Sequence, residues 1–239
     1  MCTVTYLPVG KTEFYLTSNR DEKTARAEAI PPKKYKINNI SVFFPKDPQA
    51  GGTWIAASEK NYTLCLLNGG YKKHIPEPHY RLSRGLMLLD FFNYNDAVAF
   101  KRNYDFKGIE PFTLLIICTT DEICFYELRW DGQTAFLNHV DEDKPHIWSS
   151  VTLYTDEVIA ERKGWFDDFL RDKPHFSKED IIHFHKFGGS GNSSNDLLMN
   201  RDNITRTVSI SMVHRTANNL FMNYTNVISK ETESIRVIR

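Results

Sequence analysis

The chain has 239 residues, 41% hydrophobic and 25% charged, with Lys+Arg and Asp+Glu at 30 each and no formal net charge. That length allows a substantial core in a single unit spanning 1–239, and the balanced charge excludes nucleic acid or an anionic membrane surface as an expected partner. No apolar run approaches the ~18–20 residues that span a bilayer, and no basic stretch followed by an apolar one opens the chain, so a cytoplasmic protein is expected.

Met1-Cys2-Thr3 opens a β-like run, Thr3–Leu7, which a turn at Pro8-Val9-Gly10-Lys11 joins to a second run, Glu13–Ser18. Once Met1 is removed, Cys2 carries a thiol and a free α-amine on one residue. A thiol of pKa ~8.5 beside an α-amine of ~7.7–8.0 is a nucleophile with its own base. The plain alternative is a small second residue with no role. Asn19-Arg20-Asp21 closes this hairpin, so Asp21 is positioned to approach the Cys2 amine and tune it through charge and hydrogen bonding. Without that role, Asn19 to Asp21 form a turn with a surface ion pair.

Pro31-Pro32 and the stretch from Pro45 to Pro48 predict an irregular segment before Gly51-Gly52-Thr53-Trp54. Strands follow at Thr53–Ala57 and Thr63–Asn68. Asn68 ends an apolar strand just before Gly69-Gly70, where an amide N–H can face a developing oxyanion; the alternative is a simple Asn-Gly turn. Ser83 caps a helix from Arg84 to Phe92, and Asp96–Arg102 reads as a second. Thr113–Thr120 and Ile123–Trp130 form a hairpin that continues into Thr134–Val140. Cys118 and Cys124 flank its turn, where they can face each other across the hairpin, and in a reducing compartment they read as buried apolar residues, not a disulfide.

Thr155–Arg171 places apolar residues at helical spacing, and Ser177-Lys178-Glu179-Asp180 resembles a capping box for a helix ending at Phe187. Gly188 to Asn195 predicts a flexible surface loop. Arg206–Val213 and Asn219–Thr225 pair late in the chain, and Arg206, at a strand head, is suited to a substrate carboxylate or to orienting Cys2. The histidines lack metal-ligand spacing. Paired strands with short connections and flanking helices imply an α+β layered sandwich.

In this order, Met1-Cys2, Ser18-Asn19-Arg20-Asp21-Glu22, Ala50-Gly51-Gly52-Thr53-Trp54, Leu67-Asn68, Ser83-Arg84-Gly85 and Thr205-Arg206-Thr207-Val208 resemble the NRDE family, also called the transport and Golgi organisation protein 2 family. That family is assigned to the N-terminal nucleophile hydrolase superfamily. The resemblance implies a four-layer αββα sandwich of two antiparallel sheets. It further implies Cys2 as nucleophile, Asp21 as its amine partner, Asn68 as an oxyanion donor and Arg206 as an active-site arginine, with Asn19, Arg20 and Trp54 lining the site. The activity implied is hydrolysis of a non-peptide linear amide or thioester with no required cofactor. The family's association with haem trafficking and acyl-CoA metabolism makes a haem or acyl-lipid carrier the alternative, in which thiolate or imidazole is the axial ligand. The related acylases carry an arginine where this chain has Ser18, and Ser149 or Ser150 stands in the region of a second asparagine.

Overall fold

The computed structural model describes residues 3–94, 96–120 and 122–238. In chain order the first strands are β1 (Thr3–Pro8), β2 (Phe14–Lys23), β3 (Ile30–Ile37), β4 (Ile40–Lys46), β5 (Ile55–Ser58) and β6 (Tyr62–Asn68). Helix α1 (Arg84–Asp90) runs into a single 3-10 turn, and α2 (Ala97–Asn103) follows. Then come β7 (Phe112–Thr119), β8 (Ile123–Trp130), β9 (Ala135–His139), β10 (His146–Ser149), α3 (Asp156–Asp172) and α4 (Lys178–Phe187). The chain ends in β11 (Asn200–Arg201), β12 (Thr205–Arg215), β13 (Leu220–Asn226) and β14 (Thr232–Ile238).

The strands form two antiparallel sheets among the described residues. One is ordered β10-β1-β2-β12-β13-β14 with β11 beside β12; the other runs β3 to β9 in sequence. Alternation of side chains fills three apolar layers. Val4, Tyr6 and Leu16 of the first sheet meet Ile55, Cys65 and Leu115 of the second between the sheets. Leu7 and Met212, on the first sheet's other face, pack against Phe166 of α3 and Phe184 of α4. Leu64, Leu114 and Leu128 face Met87 and Leu88 of α1 and Phe100 of α2. The order is therefore helices, sheet, sheet, helices: the expected αββα sandwich. No described helix is long and apolar enough to cross a membrane.

Local signals explain the helices. Thr155 caps α3 through Val158 N, with Asp156 and Glu157 in the first turn facing the helix dipole. Ser177 and Asp180 form the reciprocal capping box of α4.

Three expectations change. The segment read as irregular holds β3 and β4, joined by Asn38 and Asn39 at φ 46° and 65°, a turn pairing that asparagine tolerates. Pro31 and Pro32 fit because β3 is a sheet edge, where a missing N–H breaks no ladder. The Asn19-Arg20-Asp21 run does not end β2 but lies inside it, paired with β12. Finally, Cys118 and Cys124 face each other in register, but both are half-buried, and they are free thiols.

Candidate active site

Because β2 alternates, its motif is split between two faces of one sheet. Arg20 points between the sheets and Asp21 points toward the helical layer. The Arg20 guanidinium sits 4.6 Å over the Trp54 ring and donates to Asp47 Oδ2 at 2.8 Å and Glu22 Oε2 at 3.3 Å. Asp47 also receives Arg26 Nε at 2.8 Å, while its Oδ1 accepts the backbone N–H groups of Gln49 and Ala50 at 2.9 Å each. Burial pushes the Asp47 carboxyl up, but the Arg26 and Ala50 hydrogen bonds and the charges of Arg26 and Arg20 outweigh it and hold it below the usual carboxylate range.

This loop leads into Gly52-Thr53, which packs backbone against backbone on Gly85 of α1. A Cβ on Gly52 would lie 2.4 Å from Gly85 C, and one on Gly85 would lie 2.8 Å from Thr53 O. Thr53 N donates to Gly85 O at 3.2 Å. The two glycine motifs are thus one contact, and it forms a wall of a cleft of about 490 Å³. Arg20, Trp54, Asn68, Arg84 and Glu110 also line that cleft. Arg84 pairs with Glu110 at 2.9 Å, and burial pulls its guanidinium below the ordinary value. Trp54 Nε1 is buried without a hydrogen-bond partner among the described residues.

Asn68 is the last residue of β6, opposite Phe112. It does not make the Asn-Gly hairpin considered above, because the chain departs toward α1. Ser150 Oγ donates to Asn68 O at 2.9 Å. Gly69 has φ +88°, and a Cβ there would meet Val151 Cγ2 at 2.5 Å, so only glycine lets this turn approach residues 151 and 152. Asn68 also borders a second cavity of about 240 Å³ that contains Ser149.

On the other face, Asp21 is buried and both its oxygens are held. Thr207 Oγ1 donates to Oδ1 and Tyr154 OH to Oδ2, each at 2.6 Å. Asn19 is fully buried. Its Nδ2 donates to the carbonyls of His185 (3.1 Å) and Leu197 (2.7 Å), which leaves Oδ1 to accept from His185 Nδ1 at 2.7 Å. His185 Nε2 then accepts from Thr5 Oγ1 at 2.8 Å. Burial, then the nearby Arg162 charge, lowers the His185 pKa to about 3, so the ring is neutral. Arg206, half-buried opposite Glu22, borders a separate space of about 90 Å³ with Arg20 and Glu22.

The structure therefore brings Arg20, Trp54 and Asn68 into one cleft. Asp21 faces the helical layer, Asn19 is tied to α4, and Arg206 lies beyond the Arg20–Glu22 pair. Cys2 lies outside the described residues; its neighbour Thr3 pairs with Asn19 and Ser149. Sequence reasoning missed Asp47, Tyr154, Arg162 and His185, each of which has at least one partner distant in sequence. The Gly188 to Asn195 loop is likewise anchored: Leu197 N donates to Gly188 O, and Ser190 N to Asp196 Oδ1, at 2.9 Å each. No group of three or more His, Cys, Asp or Glu among the described residues is placed to hold a metal ion.

A family model described as Transport and Golgi organisation 2 matches residues 1–229. Among solved structures, a conjugated bile acid hydrolase from Clostridium perfringens is similar with TM-score 0.63 at 11% identity, covering 99% of this chain and 92% of that one. A penicillin V acylase from Agrobacterium tumefaciens gives 0.58 at 9% identity, with 99% and 86% covered. The N-acylethanolamine-hydrolyzing acid amidase ortholog of Caenorhabditis elegans gives 0.56 at 12% identity, with 88% and 92% covered. These are proteins of the N-terminal nucleophile hydrolase fold, and at such identities the likeness is one of fold. No curated protein is significantly similar to the chain in sequence.

Proposed function

The chain belongs to the Transport and Golgi organisation 2 family, and from that membership and the geometry around Asp21 we propose that it is a hydrolase acting through Cys2 on a non-peptide linear amide or thioester. The observation that carries this reading is the buried Asp21 carboxylate, pinned at both oxygens, on the strand beside Thr3. Peptide geometry keeps Cys2 within ~3.8 Å of Thr3, Cα to Cα. A carboxylate so held is suited to orient an α-amine.

In this mechanism, removal of Met1 exposes the Cys2 amine. The amine takes the thiol proton, Sγ attacks the carbonyl carbon, and the Asn68 amide with a backbone N–H stabilises the tetrahedral oxyanion. The amine returns the proton to the leaving amine or thiol. Water then attacks the acyl-enzyme, releasing acid and restoring the thiol. Arg20 and Trp54 form the cleft that receives substrate, and Arg206 supports the Arg20–Glu22 side of it. The named activities of the similar structures, an acylase, a hydrolase and an amidase, support the same class.

Intact mass with iodoacetamide and peptide mapping tests it. Met1 should be absent and Cys2 should alkylate before the half-buried Cys118 and Cys124, and well before Cys65, whose thiol burial pushes up to about 12. A panel of N-acyl amides and thioesters should then show turnover that Cys2→Ala abolishes. Retained Met1, or turnover undiminished in Cys2→Ala, would overturn the proposal.

A further inference from the structure

Arg162, on α3, is the largest fully buried side chain among the described residues, at 0% exposure. Its polar partners there are all neutral. Nη1 donates to Thr3 Oγ1. Nη2 donates to the carbonyls of Asn195 (2.8 Å) and Asp196 (2.7 Å), and Nε donates to Asn195 O at 3.0 Å. The guanidinium carbon lies 3.6 Å from the centre of the Tyr154 ring. A guanidinium held by dipoles and a π face, with no carboxylate in contact among the described residues, is a costly charge to bury.

Both ends of this contact set lead to the N-terminal site. Thr3 is the residue covalently joined to Cys2. Tyr154, whose face carries the guanidinium, donates its hydroxyl to Asp21 at 2.6 Å. We propose that Arg162 is a positioning residue for the Cys2 α-amine: it fixes Thr3 and the Tyr154–Asp21 pair, and its positive charge disfavours protonation of that amine. The inference rests on the hydrolase reading given above.

Among the described residues, charged or titratable groups around this point include Arg20 and Glu22, which flank Asp21 on β2 and pair with each other at 3.3 Å, and the groups on β2, α3, β11 and α4 that follow. Asp21 of β2 favours the ammonium form. Arg162 of α3 opposes it, and so does Arg201 of β11, 5.1 Å from the Tyr154 ring centre. His185 of α4 is neutral, and the Arg162 charge contributes to its lowered pKa, so the field reaches a neighbouring base. A neighbouring carboxylate such as Asp21 favours the protonated amine, which cannot accept the thiol proton. The added cation moves the balance toward the free base.

The test is the pH dependence of Cys2 alkylation by iodoacetamide, followed by peptide mass mapping from pH 6 to 10, which needs no substrate. Arg162→Gln should raise the midpoint by about one pH unit, read as roughly tenfold slower reaction at pH 7. Arg162→Lys should restore most of the wild-type midpoint. Thr3→Val keeps the charge and loses one tether, so its midpoint should stay while its rate falls at every pH. A wild-type midpoint in folded Arg162→Gln overturns the proposal. If that variant does not fold, an unchanged rate in folded Thr3→Val overturns it instead. Met1 found on the wild-type protein removes the hydrolase reading and this inference together, and the mass spectrum separates that outcome from the others.

Discussion

Arg20 and Asp47 meet in a 2.8 Å ion pair whose side chains are 5% and 9% exposed, joining the second strand to the loop that delivers Gly52 and Trp54. One carboxylate does two jobs: Oδ2 neutralises Arg20 and Arg26, and Oδ1 caps the turn at Gln49 and Ala50. The cleft wall is therefore an electrostatic construction as much as an apolar one.

Asp47→Asn should strip the partner from a nearly buried guanidinium. Breaking such a pair costs about 3–5 kcal/mol, and because Glu22 stays within 3.3 Å of Arg20 the lower end is expected. Urea denaturation should show a midpoint reduced accordingly. A loss under about 1 kcal/mol, the range of exposed pairs, would mean the pair is not desolvated.

Two glycines in helices should respond in opposite directions. Gly164 of α3 has nothing within 4 Å of where a Cβ would sit, so Gly164→Ala should stabilise by about 0.5–1 kcal/mol through helix propensity. Gly85 of α1 has the same propensity argument, yet its Cβ would meet Thr53 O at 2.8 Å and Thr53 N at 2.9 Å, both backbone atoms. Overpacking should win, and Gly85→Ala should lose about 1–3 kcal/mol. Thermal melts of the two variants decide it; stabilisation of both would refute the backbone contact.

The layered architecture was readable because its signals are local. Caps at Thr155 and Ser177 announce α3 and α4, and the Cys118–Cys124 register follows from a short turn. The β3–β4 hairpin was hidden because Pro31 and Pro32 are read as breakers unless the strand is known to be an edge. The site divides the same way. Cys2, Asp21 and Asn68 could be nominated from spacing, but Tyr154 reaches Asp21 across 133 residues and Arg162 reaches Thr3 across 159. No local periodicity encodes such meetings. The opposite facing of Arg20 and Asp21 was likewise invisible while the motif was taken as a strand end.

Stability should fall in acid through His185. Its folded pKa is about 3, against a reference of 6.5. Between those values the unfolded chain binds a proton that the folded chain does not, so stability is complete above about pH 6.5 and declines as pH falls, by at most about 1.4 kcal/mol per unit. Urea midpoints at pH 4.5, 5.5 and 6.5 should show a shallower slope in His185→Gln than in wild type. Equal slopes would place the histidine's titration elsewhere.

Asn68→Ala should separate chemistry from folding. Ser150 holds the Asn68 carbonyl rather than its amide, so truncating the side chain preserves that tether. If the amide stabilises an oxyanion, kcat should drop by about a hundredfold to a thousandfold with KM little changed. A raised KM at constant kcat would assign Asn68 to ground-state binding instead.

Haemin titration distinguishes hydrolase from carrier. Haem presents two carboxylates and needs an axial ligand. In the cleft, Arg20 is engaged with Asp47 and Glu22, Arg26 with Asp47, and Arg84 with Glu110. Recruiting any of them for a propionate would strand a partly buried carboxylate, a penalty of the kind that disfavours binding. The expected titration is linear, with no saturable absorbance change that depends on Cys2. A saturable one-to-one change in wild type, lost in Cys2→Ala and accompanied by no acyl transfer to any thioester or amide, would make the chain a carrier and the N-terminal thiol its ligand.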